Sequence, residues 1–472
     1  MVITNKKFDY KQNNRRLYLL WMFLSTVVFI LEYLTICDNC QLTKIYEFQL
    51  LMVYGIAQYG SIKKFGMFNI FSLILVGFFI FAIGGILHFF ISNDNILEFL
   101  DHGFGDFYFT NMIMQESLLI YSLFIALSYL TYSMIHKGKG SFIGLEDKNS
   151  HDDMYFKIGK FLMWAFLAVE IYKGYLYFSS FSISRVLIYL YGNMENPVPT
   201  WVRFFATFFE IGYAFILCSK PEKSVFKKYS ALFFVVIIPE ILLGNRAMFG
   251  AFMLYYFWYY ARFYNPQPIR KKYVLLGGVL ILLIFQIMQF MRDGGDFDMA
   301  SLSLTSFLKG QATSFYILPI YIQNASSIQY YLYPFILYPI IGVFSGYTGQ
   351  SIEALQHKCG VGHQLIYTVS PDYYLNGGSF GSSNIVELYD LGVYGVIIGA
   401  VFFSCMLYYF EKKVGVNRIA LFMSYHILSL FIMSSRGSFF PSLYDVFKLF
   451  VFYSFITFCY KLLYKKKNIQ FL

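Results

Sequence analysis

Apolar runs of about 15 to 25 residues recur from Leu17 to Leu463, and short groups of lysine and arginine punctuate their ends. A helix rises about 1.5 Å per residue, so runs of this length cross the roughly 30 Å hydrocarbon layer of a bilayer. The composition agrees: 58% of residues are hydrophobic and only 14% charged, against roughly 25% charged in a soluble domain. The sequence therefore predicts an all-α polytopic membrane protein forming a single integral membrane domain over residues 1–472, rather than several soluble domains.

The formal net charge of +10 would suit nucleic acid only if it were gathered into a patch, and it is not. Basic clusters at Lys6 to Arg16, Lys63 and Lys64, Lys137 to Lys160, Lys220 to Lys228, Arg262 to Lys272, Lys412 to Arg418 and Lys461 to Lys467 hold most of the 37 lysines and arginines. Membrane proteins concentrate these residues on the cytoplasmic side. One orientation satisfies all seven clusters, with both termini cytoplasmic and twelve spans near 17–37, 45–61, 66–91, 112–135, 161–180, 201–218, 229–244, 247–262, 273–291, 391–410, 419–434 and 440–460. The first run, Leu17 to Ile36, lacks a small-residue cleavage pattern and reads as a retained signal anchor.

Basic residues outside the clusters are Lys44, Lys173, Lys309, Lys358, Lys448 and five arginines, Arg185, Arg203, Arg246, Arg292 and Arg436. On this topology the arginines lie at the outer face, where the charge rule makes them exceptions. Guanidinium stays charged and grips phosphate oxygens bidentately, so outward arginines point to a phosphate-bearing lipid substrate. Arg246 occupies a Gly-Asn-Arg turn between two apolar runs of only about 15 residues, short of a full crossing. That places it in a cavity below the outer surface, where it binds substrate or pairs with Glu240.

The segment 292–390, between spans 9 and 10, is far longer than ordinary connections, and loops of that length are usually functional. Its runs Phe315 to Ile322 and Tyr333 to Phe344 are apolar but interrupted by Pro319, Pro334 and Pro339, and are expected as short helices in or on the membrane interface. Further along, Gly377, Gly378 and Gly381 lead through Ser382, Ser383 and Asn384 into a predicted helix. A glycine-rich turn opening a helix presents backbone N–H groups to an anion. No Lys-Ser/Thr follows, which excludes a nucleotide P-loop. Glu387 stands at capping-box spacing from Asn384 and reads either as that cap or as a carboxylate acting on a sugar hydroxyl; Asp390 is similar. His363 and His357 are candidate general bases, although a lone loop histidine is more often structural. Asp296 and Asp298 form a D-x-D that reads as an acidic turn before it reads as a metal site, and no cofactor or metal is expected. Cys37 and Cys40 form a C-x-x-C where a disulfide can form; no second pair completes a zinc site.

The stretch from Tyr374 to Gly395, YLNGGSFGSSNIVELYDLGVYG, resembles the glycine-rich, Ser-Ser, acidic, Gly-x-x-Gly passage of the Wzy-type O-antigen polymerases. So do Gly244-Asn245-Arg246 in a hairpin, FMRDGG around Arg292, FLKGQATS at 307–314 and SSRGSFF at 434–440. The match is ordered and runs from Gly244 onward; earlier residues resemble the family in hydropathy alone. Many relatives read Gly-Ser-Arg where this chain has Gly-Asn-Arg, a departure that spares the arginine.

The resemblance implies a glycosyltransferase at the periplasmic face of the bacterial inner membrane, joining undecaprenyl-diphosphate-linked repeat units, with a glycan donor, a glycan acceptor, membrane lipid and a chain-length regulator protein as partners, and no nucleic acid. The donor is already activated by its diphosphate, which fits the lack of nucleotide motifs. Arg246, Arg292 and Arg436 then hold the leaving diphosphate, and Glu387, Asp390 or His363 meets the acceptor hydroxyl. Gly377, Gly378, Gly381, Ser382, Ser383, Arg185 and Arg203 complete the substrate contacts. An O-antigen ligase and a lipid-linked oligosaccharide flippase are the rival readings; the flippase requires repeated halves, which the sequence does not display.

Overall fold

The computed structural model describes residues 19–92, 94–101, 105–136, 153–180, 198–242, 246–264, 308–310, 312–347, 350–358 and 360–469, with the backbone alone for 100, 101, 178, 180, 240–242, 246–249, 251, 343 and 464–469. The chain divides into two compact units, one of Met1–Ser141, Met299–Tyr409 and Ile432–Phe440, the other of Phe142–Asp298, Phe410–Phe431 and Pro441–Leu472.

The first unit opens with helices α1 (Leu19–Tyr33), α2 (Cys40–Phe65), α3 (Ile70–Ser92) and α4 (Asn111–Ile135). Short polar residues start them: Asn39, Asn69 and Thr110 each accept a hydrogen bond from a backbone N–H of the first turn, satisfying donors that have no intrahelical partner. α2 ends at Gly66, whose φ of 102° a side chain would disfavour. Thr43 near the start of α2 bonds Asn111 at the start of α4, and Lys64 near its end bonds the Ser133 carbonyl. The two therefore run parallel, and the Lys63–Lys64 cluster lies at the opposite end of the unit from Asn39 and Asn111.

Midway along α3 the ladder widens to a π-helical stretch, Phe79–Ile83. Beyond it a Cβ on Gly85 would stand 2.2 Å from the Ala312 Cβ, so glycine there is what lets the segment before α9 (Thr313–Asn324) approach the helix backbone. α9 buries Phe315, Ile317, Leu318 and Ile320 completely or nearly so, with Pro319 inside it. The segment is apolar on all sides, and such a helix is stable only when surrounded. The run Tyr333 to Phe344 exposes Ile341 and Phe344. Residues 92–111, expected as plain loop, contain an antiparallel hairpin of β1 (Glu98–Asp101) and β2 (Gly105–Tyr108). Phe99 from this hairpin and Phe109 just after it stack on Tyr316 of α9 at 4.6 and 5.9 Å.

In the second unit α5 (Asp153–Ser180) and α6 (Thr200–Cys218) pack through Gly159 and Gly212, where added Cβ atoms would meet the facing backbone at 2.6 and 2.8 Å. α7 (Lys223–Leu242) and α8 (Arg246–Phe263) follow, 20 and 18 residues long. The apolar runs in them stay short, while the helices extend beyond those runs, through the polar Lys223–Lys228 stretch and to Arg246, so each helix reaches roughly 27–30 Å. Tyr213, Phe233, Phe252, Tyr255 and Tyr425 form one aromatic cluster in this unit. Arg262 donates to the Glu411 carboxylate at 2.9 Å and to its carbonyl at 2.6 Å, Arg418 to the Cys218 carbonyl at 2.7 Å, and Lys220 to the Gly415 carbonyl at 3.4 Å. Three clusters that the charge pattern assigns to one membrane face are thereby brought together.

The chain closes with α12 (Gly392–Val416), α13 (Arg418–Ile432) and α14 (Leu443–Ile469), preceded by the short helices α10 (Val361–Val369) and α11 (Asn384–Tyr389). Helix covers eleven of the twelve expected span positions; the twelfth, 273–291, lies outside the described residues. Among the described residues five helices are long and apolar enough to cross a membrane by length and composition, and the chain is a multi-pass helical membrane protein.

Candidate functional site

The first unit brings together two of the glycine- and serine-rich motifs through one buried carboxylate. Glu387, on α11, is 1% exposed. One of its oxygens accepts from the Ser382 hydroxyl at 2.8 Å, the other from the Phe439 N–H at 2.7 Å. It therefore bridges the Gly-Ser-Ser loop to the Ser-Ser-Arg-Gly-Ser-Phe turn. Burial pushes its carboxyl up to about 7, against the pull of hydrogen bonds from Phe439 N–H, Ser382 and Ser438. The capping-box reading is corrected: Ser383, not Asn384, holds the cap position, and the Glu387 oxygens are engaged elsewhere.

Asn384 reinforces the bridge, donating from Nδ2 to the Ser434 hydroxyl at 3.3 Å. The Ser435 hydroxyl and the Asn384 Oδ1 are buried without a hydrogen-bond partner. Orphaned polar atoms are rare in interiors, and two on adjoining loops mark a place where water or a polar ligand is expected. Arg436 follows directly. Its guanidinium stands exposed, 5.9 Å from the centre of the Phe81 ring, and Phe81 belongs to the π-helical stretch of α3. Such stretches frequently accompany functional sites.

Around this bridge the glycines serve shape. Gly377 and Gly381 hold φ of 94° and 78°, conformations closed to most side chains. A Cβ on Gly378 would fall 1.9 Å from the Tyr373 ring, and the Gly378 carbonyl accepts from Gln350 at 2.8 Å. α10 packs its Gly362 against the Gly381 carbonyl, where a Cβ would stand at 2.1 Å. On the same helix His363 is half-buried with its Nδ1 unpartnered, and burial together with nearby Lys358 lowers it to about 4. It is neutral at physiological pH. Asp390 is drawn into architecture, accepting from Tyr321 at 2.7 Å, Tyr331 at 2.8 Å and the Phe335 N–H at 2.9 Å.

The remaining arginines fare differently. Arg203 is exposed on the first turn of α6, in the second unit, and donates to the Thr200 hydroxyl at 3.2 Å. Arg246 is the first residue of α8, described in backbone only. Arg185, Arg292, Asp296 and Asp298 lie outside the described residues. Cys37 and Cys40 are exposed, free thiols. Among the described residues no group of three or more His, Cys, Asp or Glu is placed to hold a metal.

The family model for the O-antigen polysaccharide polymerase Wzy matches residues 17–468. The chain belongs to the Wzy family. No curated protein and no solved structure matches it. The family match covers the first half of the chain as well as the half where the motif resemblance lies. In this Wzy-family chain the Gly-Ser-Ser and Ser-Ser-Arg motifs share the Glu387 carboxylate, and FLKGQATS packs its Leu308 and Ala312 onto Gly84 and Gly85, just past the π-helical stretch. Sequence reasoning missed that stretch, because a one-residue widening of a helix leaves no mark on hydropathy. It also missed Asn384 and Ser435 as partners in the cluster, although both stand in quoted motifs.

Proposed function

We propose that this chain is the glycosyltransferase that extends undecaprenyl-diphosphate-linked repeat units into O-antigen or a related surface polysaccharide at the periplasmic face of the inner membrane. In this reading the chain is a single membrane domain with twelve spans, both termini cytoplasmic and 292–390 exposed on the outer side. The observation that carries it is Arg436, an exposed residue on a turn fixed by a buried carboxylate, beside the π-helical stretch midway along α3.

The acceptor hydroxyl attacks the anomeric carbon of the donor sugar; the bond from that carbon to the diphosphate oxygen breaks, and the diphosphate leaves with the negative charge. Preorganised guanidinium groups stabilise that charge where it gathers. Arg436 serves in this role with Arg246 and Arg292, while Arg185 and Arg203 support the substrate. Gly377, Gly378, Gly381, Ser382 and Ser383 shape the loop that meets the sugar or its phosphate. With both oxygens occupied, Glu387 is a positioning residue for Arg436 in this scheme. Asp390 supports the loop behind it, and His363, neutral and nearby in the fold, is the remaining proposed proton acceptor.

The experiment is incubation of the purified protein with its lipid-linked repeat unit. A ladder of lengthened lipid-linked glycan supports the reading. Transfer of finished glycan to lipid A core alone would instead favour a ligase, and translocation without elongation a flippase.

A further inference from the structure

Glu116 was singled out by no motif, yet it is a carboxylate of the first unit with an oxygen to spare. It sits half-buried on α4 near the helix start. Its Oε1 accepts from both Tyr33, at 3.1 Å, and Tyr389, and the two phenols lie 3.4 Å apart. Its Oε2 takes no hydrogen bond from any described residue, and no described lysine or arginine pairs with it. The other carboxylates of this neighbourhood are committed: Glu387 to Ser382 and Phe439, Asp390 to Tyr321, Tyr331 and Phe335.

Position adds to this. Tyr389 lies on α11, two residues beyond Glu387, so the cluster is tied to the same short helix that fixes the Arg436 turn. On α4, Tyr121 donates to the Ser314 carbonyl in the core of the unit. Glu116 precedes it by five residues, about 7.5 Å closer to the end of the unit opposite the Lys63–Lys64 cluster. A lipid-linked glycan held by its diphosphate extends its sugars in that direction.

We infer that Glu116, with Tyr33 and Tyr389, forms a subsite for the hydroxyls of the substrate glycan, separate from the arginine site that takes the diphosphate. A carboxylate with a free oxygen accepts sugar hydroxyls and repels phosphate, and two phenols, their hydrogens given to Oε1, add acceptor lone pairs and flat apolar faces. The inference rests on the polymerase reading above and names which part of the substrate each group meets.

The test uses purified full-length protein, its lipid-linked repeat unit, and as competitor the same oligosaccharide released from lipid and diphosphate. Glu116→Ala raises KM for the repeat unit about tenfold or more and lowers kcat less, the signature of lost ground-state binding. The free oligosaccharide inhibits the wild type and loses that inhibition in Glu116→Ala. Glu116→Gln keeps an oxygen for both phenols, so the fold is retained, and gives an intermediate KM; it carries the test should the alanine variant unfold. An unchanged KM, or competitor inhibition equal to wild type in both variants, overturns the subsite even if thermal stability falls. Wild-type protein that elongates nothing overturns the polymerase reading itself.

Discussion

Replacing Glu387 separates positioning from base catalysis. Glu387→Ala leaves the buried Phe439 N–H without an acceptor, at about 1–3 kcal/mol, and frees Ser382, which is half-buried and turns to water at smaller cost. A total of about 2–4 kcal/mol falls on the contact that holds the Arg436 turn to α11. If catalysis needs that turn in place, the elongation rate drops on the order of 100-fold. Glu387→Gln behaves differently. Its carbonyl still accepts from Phe439 N–H, its amide donates to a rotated Ser382 hydroxyl, and it mimics the protonated acid that burial favours. The rate should then stay within about fivefold of wild type, a loss under about 1 kcal/mol. Elongation is read from the ladder at saturating repeat unit, and folding from thermal inactivation in detergent. Glu387→Gln as inactive as Glu387→Ala, with wild-type stability, would refute the positioning role and restore Glu387 as a base.

Three further outcomes follow from the packing and the titrations. Glu387 binds its proton more tightly folded, at about 7, than at its usual 4.5, so the folded state holds more protons in that window and stability falls as pH rises through it, by about 3 kcal/mol. Half-buried His363, lowered to about 4 from 6.5, acts oppositely between those values, so the measurement is the difference between wild type and Glu387→Gln, whose midpoints should converge toward acid pH. Gly85→Leu forces α3 from Ala312 and should lower the inactivation midpoint by several degrees, a cost of about 1–3 kcal/mol for overpacking; an unchanged midpoint would mean the contact is loose. Glu411→Ala removes the carboxylate that neutralises buried Arg262 and should cost about 3–5 kcal/mol, whereas the paired change Arg262→Leu with Glu411→Met recovers much of it, checked by the same midpoints.

The helices were legible because length and hydropathy determine where a chain can cross a bilayer, and the charge clusters sorted their ends. Arg262, Glu411, Lys220 and Arg418 meet as that sorting requires. Segment 315–322 was legible as apolar and too short to span, but its burial was not, since Phe99, Phe109 and Tyr121, which pack on it, come from distant parts of the chain. Glu387 was found by its motif, but its partners were not, since Phe439 lies 52 residues on and only the fold joins them. Glu116 had no local signal at all: an acid on an apolar helix gains meaning only from Tyr33 and Tyr389, supplied by distant parts of the chain.

Whether arginine holds the departing diphosphate is measured by the release of undecaprenyl diphosphate per sugar bond formed. Wild-type protein should release one for each repeat added. Arg436→Ala should slow release about 100-fold or more, and Arg292→Lys should be far slower than wild type if both guanidinium nitrogens are used. Elongation by Arg436→Ala at the wild-type rate would contradict the central claim, and full activity in Arg292→Lys would contradict its bidentate form.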